Sequence, residues 1–179
     1  MTSPHGSLVA RSFSPIATRR SRLLILGSMP GQVSLAQSQY YAHPRNAFWP
    51  IMAALLDFNA AASYRQRILE LRRHGIALWD VLRLCRRPGS LDSAIESDTA
   101  QCNDLDTFLH LHTHIHTVCF NGAKAEQLFR RYIQHQPLPP NRILRMHRLP
   151  STSPAHAALG LADKHRHWRK ILEYLEADN

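Results

Sequence analysis

The chain has 179 residues, of which 44% are hydrophobic, and this is enough for about one globular domain with a real core. No segment approaches the roughly 20 consecutive apolar residues of a membrane-spanning helix, so the sequence predicts no membrane partner. The formal net charge is +9, and 19 of the 22 basic residues are Arg, which makes planar two-point contacts with phosphate. A polyanionic partner is therefore expected.

The basic excess lies at both ends of the chain. Residues 1–50 contain five Arg and no acidic residue, and residues 141–179 contain seven basic and four acidic residues. The middle, residues 51–140, is nearly balanced with ten basic and nine acidic residues. Contacts with a polyanion are thus expected from the two ends rather than from the middle.

Residues 1–20 are predicted to form an N-terminal tail, and residues 21–179 a single domain. The tail contains Arg11, Arg19 and Arg20 and no acidic residue, which resembles the composition of a transit peptide. It lacks the amphipathic stripe of a transit peptide and the apolar region of a secretory signal, so neither kind of targeting is predicted.

The three cysteines, Cys85, Cys102 and Cys119, are an odd number spaced 17 residues apart. This pattern fits neither a disulfide framework nor the close ligand pairs of a metal site. Free, buried thiols in a reducing compartment are expected.

Short apolar runs alternate with helical patterns along the chain. Strands are predicted at residues 23–26, 76–79, 117–120 and 143–146, and helices at 47–57, 60–74, 103–111, 122–135 and 162–177. The alternation predicts an α/β fold, a three-layer α/β/α sandwich around a short, mainly parallel four-stranded sheet. Ligands of such sheets bind beyond the carboxyl ends of the strands, so the four strand endings should converge on one crevice.

Two of the segments that carry polar side chains lie in the first 50 residues. Residues 27–32 form a Gly- and Pro-containing loop directly after the first strand, where backbone N–H groups can approach a ligand, although the spacing is not that of a phosphate-binding P-loop. Residues 40–50 are rich in aromatic and polar groups. Tyr41 can stack on a base, Arg45 suits a phosphate and Asn46 offers an amide donor and acceptor, while an N-cap role for Asn46 is the alternative. Phe48 and Trp49 are expected to pack in the core.

Three further segments follow later strands. Asp80 ends the second apolar run and could bind a ligand or cap a turn, and Asn121 precedes Gly122 at the end of the third run. Residues 149–156 form a hydroxyl-rich loop without acidic residues, which suits contacts with phosphate oxygens.

The alternating residues His110, His112, His114 and His116 suggest a metal site only if the segment is extended. The segment overlaps a predicted helix, which opposes the extended geometry, so no metal site is predicted.

Together the five segments resemble the uracil-DNA glycosylase superfamily, and within it the hypoxanthine (deoxyinosine) DNA glycosylase branch. The resemblance is carried by residues 24–31, 40–49, 77–82, 120–122 and 149–156, in the order that the family has them. It implies hydrolysis of the N-glycosidic bond of a deaminated base that is flipped out of DNA, most simply hypoxanthine. It also implies no cofactor, a monomer and a cytoplasmic location at the bacterial nucleoid.

Two positions depart from the uracil-excising members of the superfamily. Met29 stands where those members place Asp or Asn to position the attacking water, and Leu149 stands where many place His or Asn. A methionine sulfur is too weak an acceptor to position water, so uracil-type catalysis is not carried over. The deoxyinosine branch shares both departures and is thought to rely on the residues that correspond to Asn46 and, in support, Asn121.

The resemblance assigns roles to individual residues. The catalytic residues are Asn46 and Asn121; the base-binding residues are Ser28, Met29, Tyr41 and Asp80; the DNA-binding residues are Arg45, Arg148, Pro150, Ser151, Ser153 and His156. Arg19, Arg20 and Arg22 are added as candidates for phosphate contacts on charge alone. No Lys lies in any of the five segments, so hydrolysis without lyase activity is predicted.

Other functions stay open at the level of sequence. Uracil or thymine in mismatches is the alternative substrate, because uracil has the same donor and acceptor edge as hypoxanthine. A non-catalytic DNA-damage-binding module would explain the loss of the water-positioning group at Met29. A hydrolase of free nucleosides fits the crevice but not the basic ends.

Overall fold

The structure, a computed structural model, describes residues 9–135 and 143–176. The strands in this part of the chain are β1 (Val9–Arg11), β2 (Leu23–Gly27), β3 (Ile76–Asp80), β4 (Leu82–Arg86), β5 (Gln101–Cys102), β6 (Thr117–Asn121) and β7 (Arg145–Leu149). The helices are α1 (Gln32–Gln37), α2 (Phe48–Leu56), α3 (Tyr64–Arg73), α4 (Leu105–Leu111), α5 (Ala123–His135), α6 (Leu161–Trp168) and α7 (Lys170–Glu176).

A four-stranded parallel sheet in the order β3-β2-β6-β7 forms the centre of the fold. Every residue of β2 and β3 is buried, because helices cover both faces of the sheet, and this is why both strands are nearly continuous apolar runs. The register pairs Gly27 with Asp80 and Asn121 with Leu149, so these residues end their strands at one edge. The predicted α/β/α class with a mainly parallel four-stranded sheet is confirmed.

The fourth strand of this sheet lies two residues later than predicted. The apolar run at 143–146 suggested a strand from Ile143, but that side chain is 90% exposed and β7 begins at Arg145. An edge strand is paired on one side only, and four of the five residues of β7 are exposed or half-buried, so an apolar run does not mark it.

A second, antiparallel sheet in the order β1-β4-β5 was not predicted. Only Val81 separates β3 from β4, so the two strands look like one segment in the sequence. Leu82 and Cys85 of β4 pack with Ala10 of β1 in a small second core.

The described part of the predicted tail, from Val9 onward, pairs with strands of the domain. Val9–Arg11 pairs with β4, and the backbone N–H of Ile16 donates to the Leu78 carbonyl at 2.9 Å. The Trp79 indole N–H donates to the Phe13 carbonyl at 3.0 Å. This segment packs against β3 and therefore supports the residues that β3 carries; residues 1–8 lie outside the described part.

The helices agree with the predicted ranges except at their ends. α3 begins at Tyr64 rather than at residue 60, because Ser63 forms a capping box with Gln66. The predicted helix at 162–177 is divided at Arg169 into α6 and α7, where the Leu172 N–H bonds to a carbonyl only three residues back. α1 was missed because it has only six residues.

The three thiols are free, and Cys85 and Cys119 are buried whereas Cys102 is half-buried. His110 lies in α4 and His112 stacks on Phe108, with ring centroids 4.2 Å apart. No group of three or more metal-ligating side chains is found within residues 9–135 and 143–176. The helices described are all too short or too polar to cross a membrane.

Candidate active site

The strand endings converge on one cavity of about 360 Å³ at the carboxyl edge of the parallel sheet. Gly27, Asp80, Asn121 and Ser151, which end or follow the four strands, all line it. The loop that contains Tyr41 and Asn46 forms a further wall. The predicted convergence is therefore confirmed, and the volume is typical of a site for a small ligand.

The Asp80 carboxyl lies at the base of this cavity and is 3% exposed. Its Oδ2 accepts a hydrogen bond from the Ser12 hydroxyl at 2.7 Å, so this side chain does not cap a turn. Burial raises the pKa of the carboxyl to about 7, although the bond from Ser12 favours the ionised form. Asp80 can thus present an acceptor oxygen to a ligand near neutral pH.

Gly27 lies directly against this carboxyl. A Cβ at Gly27 would collide with Asp80 Oδ1 and would lie 3.0 Å from the Tyr41 hydroxyl oxygen. The absence of a side chain therefore allows Asp80 and Tyr41 to meet at the end of β2.

Tyr41 forms an aromatic wall of the cavity. Its ring stacks on Phe48 with centroids 4.1 Å apart, so only the opposite face or the edge is available to a ligand. Its backbone is left-handed (φ 54°), which is uncommon for a non-glycine residue and frequent at functional sites. Among the described residues the buried hydroxyl has no partner with standard hydrogen-bond geometry, although the nearby Asn121 amide favours its ionised form. Burial, followed by the nearby Asp80, raises its pKa, so it stays protonated and can donate.

Asn46 lines the same cavity and also supports α2. The backbone N–H of Phe48, the first residue of α2, donates to Asn46 Oδ1 at 3.0 Å. The N-cap of α2 is Ala47, so the predicted N-cap alternative for Asn46 is wrong, although Asn46 bonds to the first helical N–H from one residue earlier. This bond does not exclude a second role, because a carbonyl oxygen has two lone pairs. The bond fixes the orientation of the amide and leaves one acceptor site on Oδ1.

Asn121 ties the end of β6 to the loop after β7. Its Oδ1 accepts from the Thr152 backbone N–H at 2.8 Å, and its Nδ2 donates to Thr152 Oγ1 at 2.9 Å. Next to it, Gly122 has a φ of 95°, and a Cβ there would lie 2.9 Å from Ser151 Cβ. One N–H of Asn121 is not used by Thr152, which is compatible with the supporting role that the resemblance implies, and that role stays a prediction.

The loop at residues 27–31 is held by side chains from the segment after β4. Ser28 donates to Asp92 Oδ1 at 2.6 Å. The buried Arg87 guanidinium donates to the carbonyls of Met29 (3.3 Å) and Pro30, and lies 3.9 Å from Asp92 Oδ1. Burial raises the pKa of Asp92, whereas Ser28 and Arg87 favour its ionised form.

Asp92 supplies a carboxyl group beside Met29, in the cavity wall that the loop at residues 27–31 forms. Met29 is 6% exposed and packs in the second core with Leu82 and Cys85, although it also contributes to the cavity wall. Asp92 lines the cavity through a different segment. A carboxylate is therefore present beside a loop that carries none of its own.

Replacing Arg87 by methionine should destabilise the protein by about 3 kcal/mol or more, because three carbonyls lose a charged donor inside the fold. The neighbouring Arg86→Met is the matched control, since Arg86 is exposed and makes only a 3.7 Å surface ion pair with Glu96. Its effect should stay within about 1 kcal/mol. Urea denaturation of both variants measures the difference, and equal losses would show that the Arg87 contacts do not hold the loop.

Four of the predicted DNA-binding residues lie around the cavity. Ser151, Ser153 and His156 line it, and Arg45 is exposed at its edge in an adjoining cavity. Ser153 Oγ accepts from the Ala155 N–H at 3.2 Å, which shapes the loop.

Pro150 and Arg148 lie elsewhere. The Pro150 carbonyl accepts from the Trp168 indole N–H at 2.9 Å. Arg148 lies on β7 and pairs with Glu126 at 3.5 Å, outside the cavity wall. Neither contributes to the lining, so their contact with DNA stays a prediction.

Arg19, Arg20 and Arg22 do not surround the cavity. They precede Leu23, the first residue of β2, whereas the cavity lies beyond Gly27 at the other end of the strand. A net-charge argument cannot distinguish the two edges of a parallel sheet, so these Arg residues are not part of the cavity wall, and their contact with phosphate stays a prediction.

Several supporting residues were missed in the sequence. They are Ser12, Arg87, Asp92 and Asn103. The Asn103 side-chain amide donates to the backbone carbonyls of Asp80 and Leu82 at 2.8 and 3.1 Å. The run of Arg86 and Arg87 followed by Gly89 and Asp92 was available as a signal, but their partners are 57 or more residues away in the chain.

These features define a class of protein. A cavity beyond the carboxyl ends of a parallel sheet, with an aromatic wall, a buried carboxyl and two amides, is typical of the ligand sites of α/β proteins. Residues 14–176 match the Uracil DNA glycosylase superfamily. The chain belongs to this superfamily and is a DNA glycosylase by that membership.

Two relatives and one solved structure support this assignment. The chain is 33% identical over 116 residues (64% of this chain, 72% of the relative) to a hypoxanthine DNA glycosylase of Methanosarcina barkeri. It is 32% identical over 119 residues (66% and 74%) to a hypoxanthine DNA glycosylase of Methanosarcina acetivorans. A solution NMR structure of a protein from M. acetivorans, described as a candidate uracil DNA glycosylase, superposes with a TM-score of 0.77 at 27% identity and covers 94% of this chain and 99% of that one.

Proposed function

We propose that this protein hydrolyses the N-glycosidic bond of deoxyinosine in DNA and releases hypoxanthine. The observation that carries the proposal is the buried Asp80 carboxyl, which lines the same cavity as the Asn46 amide. The two relatives described as hypoxanthine DNA glycosylases support it.

Recognition follows from the hydrogen-bonding edge of the base. Hypoxanthine presents an N1–H donor beside an O6 acceptor. Asp80 Oδ1 accepts from N1–H, since Oδ2 is taken by Ser12, and the Tyr41 hydroxyl or the remaining Asn121 N–H donates to O6. Adenine presents an acceptor at N1 and a donor at N6, so it leaves these groups mismatched at a cost of about 1–3 kcal/mol.

Catalysis relies on positioning and electrostatics. Cleavage places positive charge on the sugar and negative charge on the departing base. Asn46 Oδ1 holds the attacking water through its remaining lone pair. Because an amide is not basic, this role requires the glycosidic bond to break before the water attacks, and the proton that the water loses passes to the released base anion. The Asp92 carboxylate, in the same cavity, stabilises the positive charge on the sugar, and the donor to O6 stabilises the negative charge on the base.

A duplex with one deoxyinosine should break at that site when it is incubated with the protein and then heated in alkali. No lysine is among the described residues that line the cavity, and Lys164, which donates to the Ser153 carbonyl, is 5% exposed. Cleavage should therefore require the alkali, and a break without it would show lyase activity.

A matched duplex with deoxyuridine tests the alternative substrate, because uracil offers the same edge to Asp80. We expect faster release of hypoxanthine. If both strands stay intact with excess protein, the enzymatic proposal fails. The non-catalytic module is then favoured, since Met29 is packed away and Asn46 already supports α2.

The cellular setting of this proposal is simple. The substrate is DNA that contains a deaminated base, and the chemistry needs one chain and no cofactor. A monomer at the nucleoid, in the cytoplasm, is the corresponding proposal for the protein in the cell.

A further inference from the structure

A second cavity of about 350 Å³ adjoins the candidate active site. The two cavities share Asn46, Pro154 and His156. Arg45 and Lys164 also line the second cavity, and none of its lining residues is acidic. Its walls come from the loop before α2, the loop after β7 and the first turns of α6.

Lys164 is the unusual residue of this cavity. It is a lysine with only 5% exposure, and its Nζ donates to one described acceptor, the Ser153 carbonyl, at 3.2 Å. An ammonium group has three donors, and a neutral carbonyl does not compensate the burial of a full charge. Burial accordingly lowers its pKa. The contacts inside the chain thus leave Lys164 short of an anionic partner.

The start of α6 adds a second, independent attraction for an anion. Gly160 precedes the helix without a side-chain cap, so the first-turn N–H groups receive no side-chain acceptor. The acidic residue of that turn, Asp163, is half-buried and pairs with Arg166 at 3.3 Å, and it is not among the residues that line this cavity. The exposed Arg45 also lines the cavity.

We propose that this second cavity binds a phosphodiester of the substrate strand next to the extruded nucleotide, with Lys164 as its principal cation. The inference rests on the proposed function, because the shared wall places such a phosphate beside a nucleotide in the active site. Through Ser153, the same lysine connects phosphate binding to the loop that lines both cavities.

The test uses the full chain, a duplex with a tetrahydrofuran abasic analogue, and the variants Lys164→Met and Arg166→Met. Methionine keeps the aliphatic packing of Lys164. The plot of log affinity against log salt has a negative slope, and loss of one phosphate contact should make this slope less steep by about 0.9. The advantage of wild type over Lys164→Met should thus shrink by about threefold between 50 mM and 200 mM salt. Arg166→Met, on the exposed face of the same helix, should keep the wild-type slope.

Neutral methylphosphonates placed one at a time beside the abasic site locate the contact. At one position, the methylphosphonate should weaken DNA binding by the wild type but should not weaken DNA binding by Lys164→Met. Wild-type slope and wild-type methylphosphonate sensitivity in Lys164→Met would overturn the proposal, and would leave Lys164 as a support for Ser153. If this variant does not fold, Arg45→Met carries the same two measurements. Excision of hypoxanthine by the wild type is scored separately, so failure of the proposed function and failure of the phosphate site give different results.

Discussion

Asn46→Ala is expected to lower the single-turnover rate of hypoxanthine excision by about 100- to 1,000-fold, the usual cost of removing one preorganised polar group from an active site. The variant loses the acceptor that holds water but keeps the groups that bind the base. Binding of a duplex with an abasic analogue should therefore change little. Rapid-quench excision assays and binding titrations measure the two effects.

The chain offers a matched control for the structural role of Asn46. Asn59 is exposed, and its Oδ1 accepts from the Ala61 N–H at 2.9 Å, the same local bond that Asn46 makes with Phe48. Asn59→Ala removes this bond at a site away from the cavity. Similar losses of excision in both variants, or an unchanged rate in Asn46→Ala, would remove Asn46 from the catalytic residues.

Asp80→Asn is expected to stabilise the protein at pH 8 and to leave its stability nearly unchanged at pH 4. The folded-state pKa of about 7 lies above the ordinary value of 3.8, so the contribution of the neutral carboxyl is complete below about pH 4 and is lost as pH rises through 7. The difference between these two pKa values corresponds to about 4 kcal/mol in the free energy of unfolding. Thermal unfolding across this pH range measures it, with Asp98→Asn on the surface as control.

Ionisation of Asp80, which lowers the stability of the protein, should raise its catalytic activity. The carboxylate form accepts from N1–H, so kcat/KM of the wild type for deoxyinosine should rise about tenfold from pH 6 to pH 8, following the free enzyme. Asp80→Asn should lose this rise and discriminate less against adenine. A wild-type profile that is flat through pH 7 would contradict the role given to Asp80.

The antagonism between these two effects has a single physical cause. A carboxyl that is buried against Gly27 and Ser12 is costly to ionise, and the ionised form is the one that reads the base. Stability and recognition are therefore opposed at this residue, as they are at many binding sites.

Asp80, Asn121 and the loop at residues 149–156 could be assigned to one site from the sequence. Each follows an apolar run, and parallel strands place their carboxyl ends at one edge, so local pattern and topology together were sufficient. Within residues 40–50, Phe48 and Trp49 were correctly expected in the core, and both are buried residues of α2.

The hydrogen bonds of the two amides could not be predicted in this way. The resemblance gave Asn46 the main role and Asn121 a supporting one, but spacing along the chain did not show that Asn46 keeps a free acceptor site while both ends of the Asn121 amide bond to Thr152. Hydrogen-bond partners depend on which loops meet, and that is a tertiary property.

The sequence by itself determined the fold class, the edge of the sheet that carries the site and most of the residues that face it, because these follow from short-range pattern. Only the tertiary structure revealed that Ser12 supports Asp80 across 68 residues and that Asp92 reaches Ser28 across 64. Likewise, only the tertiary structure buried Lys164 against Ser153 and placed the Arg19–Arg22 segment at the far edge of the sheet. Burial and long-range pairing decide which charges are free, paired or buried, and neither can be inferred from spacing along the chain.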